Sequence, residues 1–99
     1  MKLETCVCVM ATLLCVATSG AMAADGQAVY SQNCAACHTS MSPKLGDKVA
    51  WAPLIKEGAD SLVASTIKGK GTMPPRGGHA NLSDADIKAA VAYMVSQGR

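Results

Sequence analysis

Two cysteines three residues apart with a histidine directly behind the second, Cys34-Ala35-Ala36-Cys37-His38, limit the folds open to this chain more than any other stretch. On a turn of helix, residues i and i+3 share a face. The two thiols can therefore each form a thioether to one of the two vinyl groups of a porphyrin, and the adjacent imidazole is then delivered to the iron. This is the pattern that covalent attachment of a c-type haem requires. It occurs once, so one haem is expected, and the chain has to fold around a large, flat, apolar body.

Two other chemistries share the C-x-x-C element. A zinc site would have to recruit Cys34, Cys37 and the only other histidine, His79, and would still lack a fourth ligand. A redox-active dithiol of thioredoxin type needs a βαβ frame, and no strand pattern is visible here.

The chain has 99 residues, one Trp, two Tyr and no Phe, which is enough for one small domain. Residues 1–23 read as a cleaved secretory signal peptide, with a basic start at Lys2, an apolar run from about Cys6 to Ala17 and Ala21-Met22-Ala23 as a small-x-small cleavage site. The apolar run falls short of the roughly 20 residues that span a bilayer as a helix, so a membrane-anchored form is not expected. Leu14 stands before Cys15 where a lipoprotein would carry a small residue. Cleavage discards Cys6, Cys8 and Cys15 and leaves the domain 24–99 with Cys34 and Cys37 alone, hence with no disulfide. A domain of that size is marginal on its side-chain core and usually carries a staple; the haem would be that staple, supplying the apolar bulk that the missing Phe residues do not. The formal net charge of +2 is no argument for nucleic acid.

Along the domain, residues 25–33 predict a first helix, with Asp25 as N-cap and Gly26 beside Tyr30 on one face for a close helix crossing. From Thr39 to Gly58, Pro43, Gly46, Pro53 and Gly58 punctuate the chain into turns and short helical pieces. Within that segment the Pro43 carbonyl is a candidate acceptor for the second ring N–H of His38, the partner an iron-bound imidazole normally has. As a plain turn-former Pro43 needs no such role. The Trp51 N–H is a candidate donor to a haem propionate, with the ring against the porphyrin; simple core packing is the alternative. Residues 60–68 predict a further helix, capped near Asp60 or Ser61 and stopped at Gly69. The last helix is the clearest: Ser83 and Asp86 resemble a capping box, and Ile87, Ala90, Val91, Met94 and Val95 form one stripe up to Gly98. It should cross the first helix, with Ala90 and Tyr93 near Gly26 and Tyr30.

Between these last two helices, residues 68–81 make a long connection with no evident secondary structure, a length usually kept for function or disorder. Met73 sits inside it, backed by Pro74 and Pro75, which fix the backbone and make a stiff arm for a thioether as sixth iron ligand. Met41, Met94 and His79 compete for that role. Met41 is three residues from His38 and tied to the same side of the porphyrin, Met94 lies on the core stripe, and His79 follows two glycines that hold a ring poorly. Lys44, Lys48, Lys68, Lys70 and Arg76 flank the haem-bearing segments and form a candidate docking set for an acidic partner.

With C-A-A-C-H early, M-P-P-R-G-G in a late loop, A-V-A-Y-M in the final helix, and Pro43-Lys44-Leu45-Gly46-Asp47 and Trp51-Ala52-Pro53 between them, the domain resembles a class I mono-haem c-type cytochrome. It is most similar to the branch with cytochrome c5 and the short c-type cytochromes of green sulfur bacteria. The resemblance implies an all-α small cytochrome c fold, three to five helices around one covalently attached haem, with His38 and Met73 as axial ligands. It implies a monomeric periplasmic electron carrier and not an enzyme. Its partners would be redox proteins such as a quinol-oxidising cytochrome complex and a terminal oxidase or photosynthetic reaction centre, with no small-molecule substrate. A haem enzyme or gas-binding sensor would need an open sixth position instead. Some relatives carry a second cysteine pair where Gly77 to Leu82 has none.

Overall fold

The computed structural model describes residues 24–99, so the signal-peptide expectation for 1–23 lies outside the described residues. Five α-helices follow in order: α1 (Gly26–Asn33), α2 (Ala35–His38), α3 (Lys48–Glu57), α4 (Ala59–Lys68) and α5 (Asp84–Gly98), with a 3₁₀ turn at Pro75–Gly78 before the last. Among the described residues the only extended pairing is an isolated bridge between Lys70 and Met73.

The helix starts follow local chemistry. The Asp25 carboxylate accepts from the backbone N–H groups of Gln27 and Ala28, satisfying donors that a first turn leaves without partners. At α5 the Ser83 hydroxyl accepts from the Asp86 N–H while the Asp86 carboxylate accepts from the Ser83 N–H, a reciprocal capping box. The start of α4 differs from expectation. Its N-cap is Gly58, with no side-chain bond, one residue ahead of the helical Ala59 and two ahead of Asp60.

A larger difference is α3, a ten-residue helix where turns and short helical pieces are expected. The Asp47 carboxylate caps it by accepting from the Ala50 N–H, and Pro53 sits inside it. An interior proline costs about 3 kcal/mol through one lost bond and a clash with the preceding turn. Burial of Trp51, 4% exposed, with Leu54 and Ile55 packed against the core offsets that cost.

The core is a narrow stripe: Tyr30, Trp51, Ile87, Ala90, Val91, Met94 and Val95 are its buried apolar residues. Five of these come from α5, which packs on α1, α3 and α4. At the α1–α5 crossing a Cβ on Gly26 would overlap the Ala89 carbonyl and lie 3.2 Å from the Tyr93 Cβ. The Tyr30 and Tyr93 rings meet with centroids 5.5 Å apart. The neighbour of Gly26 is thus Ala89, one residue from the expected Ala90. Gly26→Ala is expected to force the two helices apart and cost about 1–3 kcal/mol, read as a lowered denaturation midpoint of the holoprotein. At the far end of α5, a Cβ on Gly98 would lie 2.6 Å from Cγ of Trp51, so the helix closes directly onto the indole.

Candidate haem site

Cys34 stands at the joint where α1 passes into α2. Its N–H donates to the Tyr30 carbonyl at the end of α1, and its own carbonyl accepts from the His38 N–H at 3.0 Å. One turn of helix thus holds both thiols and the imidazole in fixed relation. Cys34 is half-buried and Cys37 exposed. Burial first, and the neighbouring Cys37 second, push the Cys34 thiol above its ordinary range. Among the described residues no three His, Cys, Asp or Glu side chains come together as a metal-binding group.

His38 is half-buried, and its Nδ1 lies 2.8 Å from the Pro43 carbonyl. A carbonyl only accepts, so Nδ1 carries the hydrogen and donates it, and the tautomer so selected leaves the lone pair on Nε2. The loop that makes this possible folds back on itself: the Leu45 N–H donates to the His38 carbonyl at 2.8 Å. The Lys44 carbonyl in turn accepts from the Asp47 N–H and from the Trp51 indole Nε1–H, the latter at 2.9 Å. Of the two readings of Trp51, N–H to a propionate or simple core packing, the indole here is buried and its N–H is given to this backbone carbonyl. The backbone acceptor seven residues upstream is already within reach, and a buried indole takes the nearest partner that satisfies its N–H. The indole instead braces the loop carrying Pro43 while its ring forms part of the cavity wall.

The connection from 68 to 81 has a built shape. Lys70 and Met73 exchange N–H···O bonds, both 3.0 Å, across a tight turn containing Gly71. Gly69 is left-handed (φ 87°), and a Cβ there would lie 2.9 Å from the Pro75 nitrogen, so the two sides of this turn are in contact. After Pro74 and Pro75 the backbone runs through the left-handed region for three residues: Arg76 (φ 56°), Gly77 (φ 61°) and Gly78 (φ 82°). Glycine takes that conformation freely, whereas a side-chain-bearing residue pays about 1–2 kcal/mol. Arg76 nonetheless occupies it. Its guanidinium donates from Nη1 to the Leu82 carbonyl at 2.9 Å and from Nη2 to the Asp84 carboxylate at 2.6 Å. The expectation that Arg76 belongs with the free docking lysines is therefore corrected: its charge is spent internally, against the first residue of α5. The sequence carried a partial signal, since the two glycines after Arg76 announce a left-handed turn, but nothing in it pairs Arg76 with Asp84.

All these pieces line one cavity of about 490 Å³. Cys34, Cys37 and His38 contribute from the α1–α2 joint, Met73 and Arg76 from the late loop, and Leu54, Ile87, Val91 and Met94 supply apolar wall. Of the competing ligands, Met41, Met73 and Met94 line it and His79 does not. Met94 is buried within the core cluster and Met41 is 52% exposed, while Met73 is half-buried with its backbone bonded on both sides. Two thiols on one turn, an imidazole with its tautomer fixed, a held thioether and apolar walls fit one haem.

Comparison with known proteins agrees. Residues 21–94 match the family model described as cytochrome C oxidase, cbb3-type, subunit III. The chain is 52% identical to cytochrome c-555 of Chlorobaculum tepidum over 84 residues, covering 78% of each chain. It is 39% identical to cytochrome c5 of Azotobacter vinelandii over 80 residues, covering 76% of this chain and 96% of that one. One chain of a crystal structure of the electron transfer complex of nitrite reductase with cytochrome c superposes with a TM-score of 0.72 at 51% identity, over 76% of this chain and 95% of that one.

Proposed function

The chain belongs to the class I c-type cytochromes, whose cofactor is one covalently bound haem c, and we propose that it is a periplasmic carrier passing single electrons between redox proteins. In this reading Cys34 and Cys37 would hold the haem through thioethers, and His38 Nε2 and the Met73 sulfur would ligate its iron. The haem supplies a one-electron iron couple, biased toward the reduced state by a neutral thioether ligand. The chain's own residues do the rest. Pro43 fixes the ring of His38, Trp51 braces the Pro43 loop, and the apolar walls from α3 and α5 keep water from the macrocycle. With ligands from both His38 and Met73, no coordination site would be left for oxygen or peroxide, which would separate a carrier from an enzyme or a gas sensor.

The observation that carries this proposal is that an imidazole with its Nδ1–H committed to Pro43 and a doubly bonded Met73 arm line the same cavity as both thiols. No helix among the described residues is long and apolar enough to cross a membrane. A visible and redox titration of protein expressed with export tests the reading. A six-coordinate haem spectrum that carbon monoxide leaves unchanged is expected; carbon monoxide binding by the reduced protein, or no haem spectrum at all, would sink it.

A protein partner is supported by the solved relative, which is a cytochrome c in an electron transfer complex. Lys44, Lys48, Lys68 and Lys70 are exposed, and Lys70 also lines the cavity. We expect their combined field to steer an acidic partner, so that association rates fall steeply with ionic strength. Stopped-flow measurement across a salt series checks this, and a flat series would remove these lysines from the docking face.

A further inference from the structure

Arg76 is the only residue other than glycine with a positive φ among the described residues. Its neighbours Gly77 and Gly78 show what the backbone prefers at such positions, so an arginine there has to be held by what its side chain does. That side chain makes two bonds in different directions, one to a backbone carbonyl at Leu82 and one to the carboxylate of Asp84. A planar guanidinium presents two N–H donors in a fixed fork, which an ammonium cannot do. The bonds run from the loop that carries Met73 to the start of α5, whose first turn is independently fixed by the Ser83–Asp86 capping box. Only Pro74 and Pro75, both stiff and reduced in freedom, separate Met73 from Arg76, and Arg76 lines the same cavity as Met73. Beside it, a Cβ on Gly77 would lie 3.8 Å from the Met73 methyl, so this turn runs alongside the Met73 side chain.

We infer that Arg76 is a positioning residue for the sixth ligand: its fork to Leu82 and Asp84 latches the Met73 arm onto α5 and sets how readily the thioether gives way to a competing ligand. This rests on Met73 being the axial ligand. The residue acts through the backbone of the arm and touches no iron.

The test is imidazole binding to the ferric holoprotein, followed in the visible spectrum, with far-ultraviolet circular dichroism on the same samples. Arg76→Gln removes the charge-assisted fork, and Arg76→Gly removes it while relieving the left-handed strain. Both are expected to bind imidazole about tenfold more tightly than the parent, the factor that loss of charge-assisted hydrogen bonds commands, with helix content unchanged. Arg76→Lys is expected not to restore the parent affinity, since it lacks the fork. Asp84→Asn, at an exposed position outside the core cluster, should give part of the effect. Ser83→Ala loosens the same helix start without touching the guanidinium and is expected to lower stability while leaving imidazole affinity alone. If the parent shows the sulfur-to-iron charge-transfer band and Arg76→Gln and Arg76→Gly bind imidazole no more tightly, the latch is wrong. If Ser83→Ala tightens imidazole binding as much as they do, Arg76 is merely structural. A parent without that band overturns the Met73 assignment itself, a failure recognisable before any Arg76 variant is made.

Discussion

Met73→Ala is expected to remove the sulfur-to-iron charge-transfer band of the ferric protein, lower the reduction potential and admit carbon monoxide to the ferrous form. The direction of the potential change follows from losing a neutral, soft ligand that favours ferrous iron. Its size falls within the roughly 0.8 V that axial-ligand identity commands across haem proteins. The alanine chain should still fold, because Met73 is only half-buried and lies outside the core cluster. His79→Ala serves as the contrast. His79 does not line the cavity, so band, potential and carbon monoxide exclusion should all persist. Spectral damage from His79→Ala together with a silent Met73→Ala would mean ligation by two histidines and would dismiss Met73.

Replacing both Cys34 and Cys37 with serine is expected to leave a chain that is largely unfolded, because the core is built around the cavity and not beside it. Trp51, Ile87, Ala90, Val91 and Met94, five of the seven buried apolar residues, also line the cavity of about 490 Å³. With nothing to fill that space their inner faces meet water, and a domain this small has little else to offset the entropy of ordering its chain. Loss of most of the helical circular dichroism of the double variant, with the parent holoprotein retaining it, is the expected measurement. Full cooperative helix in the haem-free variant would refute the staple argument. A single Cys37→Ser change, at the exposed position, should be milder than Cys34→Ser, since the half-buried sulfur sits at the helix joint.

The ends of α1 and α5 were legible from sequence because their signals are local: a carboxylate or hydroxyl two or three residues ahead of the donors it satisfies, as at Asp25 and Ser83. The stripe from Ile87 to Val95 was legible because an amphipathic helix carries its own periodicity. So was the Pro43 acceptor, five residues from His38 and thus within one turn of chain. What local reasoning misread was α3, where Pro53 reads as a stop. The Asp47 cap starts that helix, and burial of Trp51, a tertiary effect, carries it through the proline. The indole's backbone hydrogen bond was not legible for a related reason: the Lys44 carbonyl comes into range only once the loop after His38 has turned back. The pairing of Arg76 with Asp84 depends wholly on how the 3₁₀ turn is set against α5, and residue types eight positions apart do not encode that.

The two arms of the site end on one helix, at its opposite ends. The Met73 arm is tied through Arg76 to Asp84 at the first residue of α5, while Trp51, which braces the loop that orients His38, is seated against Gly98 at the last. An α-helix of fifteen residues holds those points about 22 Å apart, far enough that fraying of one terminus leaves the other wound. Local opening on the methionine side and local opening on the histidine side are then separate fluctuations, each with its own free energy below that of global unfolding. Amide hydrogen exchange should resolve them as two protection classes, the amides of 73–86 in one and those of 44–51 with 95–98 in the other. The rate at which iron changes ligand would track the first class alone.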